Sequence, residues 1–253
     1  RQDKGFNSAL LMVVQPDMRA EGPEDRTLPD GFGRAFHDLP NGHMRDRNEA
    51  YFEHFDQRVA ILREHGIVPI FSPLFYGFGW KGLDVIGPVA DPGEAADFAR
   101  FLWQRYGDGP AIWLVGADGT GYEPAVESMG RAIKACDPAA VVAIHYNPWQ
   151  TSDAHWDCDW CDAHLCQTGH NGQHRPERVA LMHDRTPVRA VANGEPTYEG
   201  MGAGKLGLGE WQSREAWLNF AAGGTFGCFY GAASLWQWKR QGDTGWGDWC
   251  EAP

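Results

Sequence analysis

The feature that most constrains the fold is a series of short apolar runs, each followed by polar or glycine-rich residues. The clearest case is residues 187–199, with the sequence PVRAVANGEPTYE. Its apolar start is typical of a buried parallel strand. The run breaks at Asn193-Gly194, and Glu195 follows directly. In α/β barrels, such strand ends hold the catalytic groups. The segment therefore predicts a strand that delivers a carboxylate to a functional edge.

Strand and helix patterns alternate along the whole chain, which predicts a parallel sheet. Seven strands are predicted within residues 9–15, 67–75, 111–115, 141–146, 163–166, 188–192 and 227–238. Helices are predicted over residues 48–66, 92–106, 123–136, 174–184 and 213–222. We therefore expect a single α/β domain over residues 1–253, a (β/α)8 TIM-type barrel that lacks its first strand and has no clear final helix. The long segment 16–47 is interpreted as a functional loop.

An open doubly wound sheet is the alternative architecture. It would need a glycine-rich phosphate-binding turn after the first strand, where this chain has Gln15-Pro16-Asp17. The barrel is therefore preferred.

Charge and composition narrow the possible partners. The net charge of −12 argues against nucleic acid or an anionic membrane as partner, and no stretch is long and apolar enough to span a bilayer. The 12 tryptophans suit a cleft that stacks sugar rings, although tryptophans also fill barrel cores. These features favour a carbohydrate partner. The oligomeric state is left open.

A second carboxylate follows a buried strand upstream. Asp118 ends AIWLVGAD, just as Glu195 ends VRAVANGE. Because the strands of a barrel end on one side, both side chains are expected at one mouth. Two carboxyl groups about 5 Å apart carry out retaining glycoside hydrolysis, whereas roughly 6.5–9.5 Å suits inversion. Asp118 is assigned as acid/base and Glu195 as nucleophile.

Helix capping is the simpler role for either carboxylate. Glu123 and Glu199 are the substitutes if either assignment fails, and Glu123 itself suits a capping role at its helix start.

Further polar and aromatic residues are candidate sugar-binding groups. Residues at the ends of the strands predicted over 141–146 and 163–166 could hydrogen-bond sugar hydroxyls or hold the nucleophile in place. Alternatively, their polar atoms could be hydrogen-bonded within the protein. The candidates are His145, Asn147, Gln167, His170, Tyr198, Trp80 and Trp236. Trp236 is favoured as a sugar platform, with core packing as its ordinary alternative.

A zinc site is the competing interpretation of one segment. Cys158-x-x-Cys161 has ligand spacing and lies between His155 and His164. Structural zinc sites usually need a second, distant ligand pair, and none occurs nearby. We therefore predict no metal and no cofactor.

Several of these segments together resemble the apiosidase-like glycoside hydrolases, glycoside hydrolase family 140 and its relatives. The matching elements are YFEHFDQRVAILREHGIVPI from Tyr51, AIWLVGAD, QTGH at residues 167–170, NGEPTYE and GAASLWQW at residues 231–238. The resemblance implies a (β/α)8 barrel, retention of configuration, an aspartate acid/base at Asp118 and a glutamate nucleophile at Glu195. It also implies an extracytoplasmic location. Compared with the family, the first strand and a small following β domain are expected to be absent.

The leading hypothesis is therefore a retaining O-glycoside hydrolase that acts on a plant or microbial polysaccharide side chain, with apiose as one candidate sugar. The alternative is a catalytically inactive carbohydrate-binding barrel. A third possibility is a metal-dependent enzyme that uses His145, His164 and His170.

Overall fold

The computed structural model describes residues 2–19, 33–170, 172–202 and 208–232. Within them, strands and helices alternate. The strands are β1 (Ser8–Met12), β2 (Val68–Ser72), β3 (Ile112–Gly119), β4 (Val141–Tyr146), β5 (Ala163–Gln167) and β6 (Ala190–Glu195). The helices are α1 (Glu49–Glu64), α2 (Pro92–Tyr106), α3 (Pro124–Cys136), α4 (Glu177–His183) and α5 (Glu210–Ala221). This order is that of an incomplete (β/α)8 barrel.

The chain divides into two compact units. The first comprises the described residues up to Ile144 together with Cys158–Cys161. The second comprises His145–Asp157 and the described residues from Asp162 onwards.

The first unit is built on parallel pairing of its leading strands. β1 pairs with β2 from Ser8↔Val68 to Met12↔Ser72, and β2 pairs with β3 at Ile70↔Ile112 and Phe71↔Trp113. The rings of Phe71 and Trp113 stack across that pair at 5.1 Å. Phe52 lies on α1, within the helix predicted over residues 48–66, and its side chain is fully buried against the rings of Phe98 and Phe101.

Helix α2 has the bounds that the sequence predicts, and contacts at both of its ends stabilise it. The carboxylate of Asp91 caps its start by accepting hydrogen bonds from the backbone N–H groups of Gly93 and Glu94. Arg105, in the last turn, donates to both carboxylate oxygens of Asp56 on α1 at 2.8 Å. This two-pronged ion pair ties the two helices together.

The second unit is centred on the parallel pair of β5 and β6. The pairing runs regularly from Ala163↔Ala190 to Cys166↔Asn193, and then shifts so that Gln167 lies opposite Glu195. Gly194 is the extra residue of this bulge. A Cβ atom at Gly194 would lie 2.7 Å from Leu165 and 3.1 Å from the His145 ring, so the bulge requires glycine there.

Several predicted boundaries are corrected. β6 begins at Ala190 and includes Glu195, whereas Val188 is exposed and lies outside it. β3 likewise extends to Gly119 and so includes Asp118. In both cases cross-strand bonding continues past the apolar run. α4 is shorter than predicted, and α5 starts three residues earlier than predicted, at Glu210.

Of the predicted last strand, residues 233–238 lie outside the described part of the chain. Within the described part, Ala232 forms an isolated parallel bridge with Glu199. None of the described helices has the length and apolar character needed to cross a membrane.

Close packing of α3 on an indole gives a stability prediction. A Cβ atom at Gly130 would lie 2.2 Å from ring carbon Cε3 of Trp160, whose side chain is buried. We expect Gly130→Ala to lower the free energy of unfolding by about 1–3 kcal/mol, because overpacking outweighs the better helix propensity of alanine. Urea denaturation measures the change.

The matched control is Gly79→Ala, since a Cβ atom there meets nothing within 4 Å. If Gly130→Ala were as stable as the unchanged protein, the proposed contact with Trp160 would be wrong.

Candidate active site

Glu195 is placed by the bulged end of β6. The register shift aligns it with Gln167 at the end of β5, so two predicted site residues meet at one sheet edge. Bulges of this kind often redirect side chains beside active sites. The backbone is held on both sides, because Thr168 N–H donates to the Glu195 carbonyl at 3.3 Å and Glu195 N–H donates to the Asn193 side-chain oxygen at 3.3 Å.

Two histidines flank the Glu195 carboxylate. Nε2 of His170 lies 3.4 Å from Oε1, and Nε2 of His145 lies 3.8 Å from Oε2. The structure thus brings together His145, Gln167, His170 and Glu195, four of the residues singled out in the sequence. They form the candidate active site of the second unit.

The backbone fixes the tautomer of His170. Tyr198 N–H points at Nδ1 of His170 at 3.2 Å, and an amide N–H can only donate. Nδ1 must therefore accept, and the ring hydrogen lies on Nε2, facing Glu195. The side chain of Tyr198 packs against the same imidazole with a centroid separation of 4.6 Å. Tyr198, predicted as a sugar-binding residue, therefore supports His170 here.

These neighbours determine the ionisation of Glu195. Burial alone would raise the pKa of its carboxyl group. Hydrogen bonding from His170, electrostatic attraction to the imidazoles of His145 and His170, and hydrogen bonding from Gln167 outweigh burial, so the pKa of Glu195 lies below its usual value. Glu195 is therefore a carboxylate at neutral pH, the form that a nucleophile requires.

His145 is held in its uncharged form. Burial lowers its pKa; the carboxylate of Glu195 opposes this, and the guanidinium of Arg178 adds to it. A neutral imidazole beside Glu195 supplies polarity without adding a full positive charge.

Asp118 lies in the first unit and adopts an unusual backbone conformation. Its φ of 56° is in the left-handed region, which aspartate tolerates better than most residues. A Cβ atom at Gly77 would lie 1.8 Å from Oδ2 of Asp118, so the carboxylate requires glycine at that position. Strain and close approach of this kind concentrate at functional sites.

The two substitute carboxylates are engaged elsewhere. Glu123 is the N-cap residue of α3, but its side chain makes no capping hydrogen bond, so the predicted capping role is wrong. Its carboxylate instead accepts hydrogen bonds from the backbone N–H groups of Thr120 and Gly121 and from the Thr120 hydroxyl, all in the loop before the helix. Glu199 accepts a hydrogen bond from the Tyr230 hydroxyl. Neither is surrounded as Glu195 is.

The remaining residues predicted to bind sugar lie in different parts of the chain and have different contacts. Asn147 follows β4, and its side-chain oxygen accepts the N–H of Trp149 at 3.0 Å. Trp80 lies in the first unit and is largely exposed, with the Lys81 ammonium over its ring. Trp236 lies outside the described residues.

Trp149 was missed by the sequence reasoning. Its indole is exposed, while Arg178 donates hydrogen bonds to the carbonyls of Pro148 and Gln150 on either side. The position of Asn147-Pro148-Trp149 directly after β4 was the available signal.

The zinc interpretation gains no support. Among the described residues, no group of three or more histidine, cysteine, aspartate or glutamate side chains could hold a metal ion. The sulfur of Cys158 accepts the backbone N–H of Cys161. Burial and the charges of Arg189 and Arg185 lower the pKa of His164 to about 3, and its ring bonds to the Tyr146 hydroxyl.

Solved structures that resemble the chain are glycoside hydrolase folds. A glycoside hydrolase family 5 protein from Bacteroides vulgatus ATCC 8482 superposes with a TM-score of 0.71 at 23% identity, covering 96% of this chain and 55% of that one. A second, described as a glycoside hydrolase, gives 0.71 at 22% identity, with 96% and 58% covered. This chain therefore spans just over half the length of those proteins.

The fold is thus that of glycoside hydrolase barrels. A family model, described as the apiosidase-like catalytic domain, matches residues 1–252. The chain belongs to this family, which confirms the resemblance drawn from the sequence motifs. No curated protein matches the chain.

The contact between His170 and Glu195 generates a prediction. We expect His170→Phe to raise the pKa of Glu195, since the variant removes the imidazole N–H that stabilises the carboxylate. Because the carboxylate would then be protonated at higher pH, the acid limb of any pH–activity profile moves to higher pH. Carbon NMR of labelled glutamate carboxyl groups measures the pKa, with Glu195→Gln identifying the signal.

The control is His65→Phe, because His65 is exposed and its ring nitrogen contacts a carbonyl of its own helix. A Glu195 titration identical in His170→Phe and the unchanged protein would refute the role given to His170.

Proposed function

We propose that this chain hydrolyses O-glycosidic bonds with retention of configuration, on a side chain of a plant or microbial polysaccharide. The observation that carries the proposal is the setting of Glu195, a carboxylate kept ionised at a strand end by His170, His145 and Gln167. Membership of the apiosidase-like family supports a glycosidic substrate, and apiose is one candidate sugar. The same membership favours an extracytoplasmic location.

In the first step, Glu195 attacks the anomeric carbon and forms a covalent glycosyl ester. The bond from that carbon to the leaving oxygen breaks, and Asp118 protonates the leaving group. In the second step, Asp118 removes a proton from water, which attacks the same carbon and releases Glu195. Assignment of Asp118 as acid/base rests on its position at the end of β3 and on the family pattern.

Sugar binding is proposed for the polar residues around Glu195 and for exposed aromatic rings. Asn147 and Gln167 can hydrogen-bond hydroxyl groups, and Trp149 presents an indole face on the segment that Arg178 holds. Trp80 and Trp236 remain predicted platforms. No metal or cofactor is required by this chemistry.

The test is hydrolysis of a panel of 4-nitrophenyl glycosides and plant cell-wall polysaccharides. For the glycoside cleaved, proton NMR follows the first-formed anomer, which should have the configuration of the substrate. We expect Asp118→Asn to lower kcat by about 10²–10⁴-fold, the usual contribution of a general acid, and Glu195→Gln to lower it at least as much.

The control is Glu210→Gln, since Glu210 is exposed at the start of α5 and pairs with Arg214 one turn further along the same helix. An inverted product, or full activity in Glu195→Gln, would contradict the proposal. Binding of the polysaccharides without any turnover would favour the inactive carbohydrate-binding barrel.

A further inference from the structure

Helix α5 turns polar side chains inward and aromatic ones outward. Gln212, Glu215 and Asn219 are buried, whereas Trp217 and Phe220 are largely exposed. Glu215 has no exposed surface at all. A buried carboxylate is costly unless it is well hydrogen-bonded, so its partners indicate what it does.

Both oxygens of Glu215 accept hydrogen bonds from segments beside Glu195. The Thr168 hydroxyl donates to Oε1 at 2.8 Å, and the backbone N–H of Thr197 donates to Oε2 at 3.0 Å. Thr168 follows Gln167 at the end of β5, and Thr197 lies two residues beyond Glu195. One side chain therefore links the two strand ends that carry the candidate active site.

The hydrogen bonds continue from Thr168 to Glu195 itself. The side-chain amide of Asn193 donates to the Thr168 hydroxyl oxygen at 2.9 Å, and the side-chain oxygen Oδ1 of Asn193 accepts the backbone N–H of Glu195 at 3.3 Å. Every hydrogen in this series points towards Glu215. The Asn193 amide can only donate to the Thr168 hydroxyl oxygen, so the hydroxyl hydrogen is left for Glu215, and both oxygens of Glu215 act as acceptors at the end of the series.

A second series of contacts connects Glu215 to His170. Thr197 directly precedes Tyr198. Its backbone N–H donates to Glu215, and its hydroxyl donates to the Gly169 carbonyl at 3.3 Å. The backbone N–H of Tyr198 is the group that fixes the tautomer of His170. Both the nucleophile and its hydrogen-bond donor are thus connected to Glu215 by short, buried paths.

We propose that Glu215 is a positioning residue: it locks the backbone of Thr168 and Thr197 so that Glu195 and the Nε2–H of His170 face each other. Its catalytic consequence rests on the proposed function, whereas the positioning itself can be observed without turnover. In Glu215→Gln, the amide NH2 would face either the Thr197 N–H, where two donors would oppose each other, or the Thr168 hydroxyl, whose hydrogen bond to residue 215 would then reverse its direction.

The test compares Glu215→Gln and Thr168→Val with the unchanged protein. Nitrogen NMR of labelled histidines reports the His170 tautomer, and carbon NMR of labelled glutamates reports the Glu195 titration. We expect both variants to populate the second tautomer of His170 and to raise the pKa of Glu195. On any glycoside that the unchanged protein hydrolyses, we expect kcat to fall at least tenfold while KM stays within twofold.

Two matched controls separate positioning from general stability. Glu210→Gln changes an exposed glutamate of the same helix, and Thr225→Val changes an exposed threonine. Neither should alter the His170 or Glu195 signals. Thermal unfolding of all variants is recorded alongside.

The proposal is overturned if Glu215→Gln and Thr168→Val fold, keep the native His170 tautomer and Glu195 titration, and differ only in thermal stability. Should Glu215→Gln fail to fold, Thr168→Val decides alone, since it removes one hydroxyl and keeps the side-chain shape. Changed NMR signals in a protein that cleaves no glycoside would uphold the positioning and contradict the proposed function.

Discussion

The candidate site depends on one irregularity of the sheet, the bulge at Gly194 that aligns Gln167 with Glu195. In a regular ladder Gln167 would lie opposite Gly194, and Glu195 would pass beyond the end of β5. The glycine is required because neighbouring side chains leave no room for a Cβ atom. A single residue without a side chain thus sets the place of the carboxylate on which the proposed chemistry rests.

Around that carboxylate the protein balances burial against hydrogen bonding. Burial disfavours the charged form of Glu195, and donors from His170 and Gln167 restore it. His145 is kept neutral by the same burial. Behind them, Glu215 receives the hydrogen bonds that fix both strand ends. The arrangement favours an ionised Glu195 whose backbone is held by hydrogen bonds before a substrate binds, which is the preorganisation that catalysis requires.

Local sequence pattern was enough to predict the strand–helix order, the bounds of α2 and the placement of Glu195 at a strand end. These follow from short-range periodicity and from the break at Asn193-Gly194. The bulge was not predictable, because register depends on the partner strand. The burial of Glu215 was not predicted, because Trp217 and Phe220 are aromatic and would be expected on the buried side of α5, whereas both are exposed. The available signal was the recurrence of Gln212, Glu215 and Asn219 at helical spacing.

The most direct test of the central claim, that Glu195 is the nucleophile, is rescue of Glu195→Gly by sodium azide on a 4-nitrophenyl glycoside that the unchanged protein hydrolyses. Azide would occupy the space of the lost carboxylate and attack the anomeric carbon from the same side. We predict restored cleavage and a glycosyl azide whose anomeric configuration, read by proton NMR, is opposite to that of the substrate. Absence of rescue, or an azide product with the configuration of the substrate, would contradict the account.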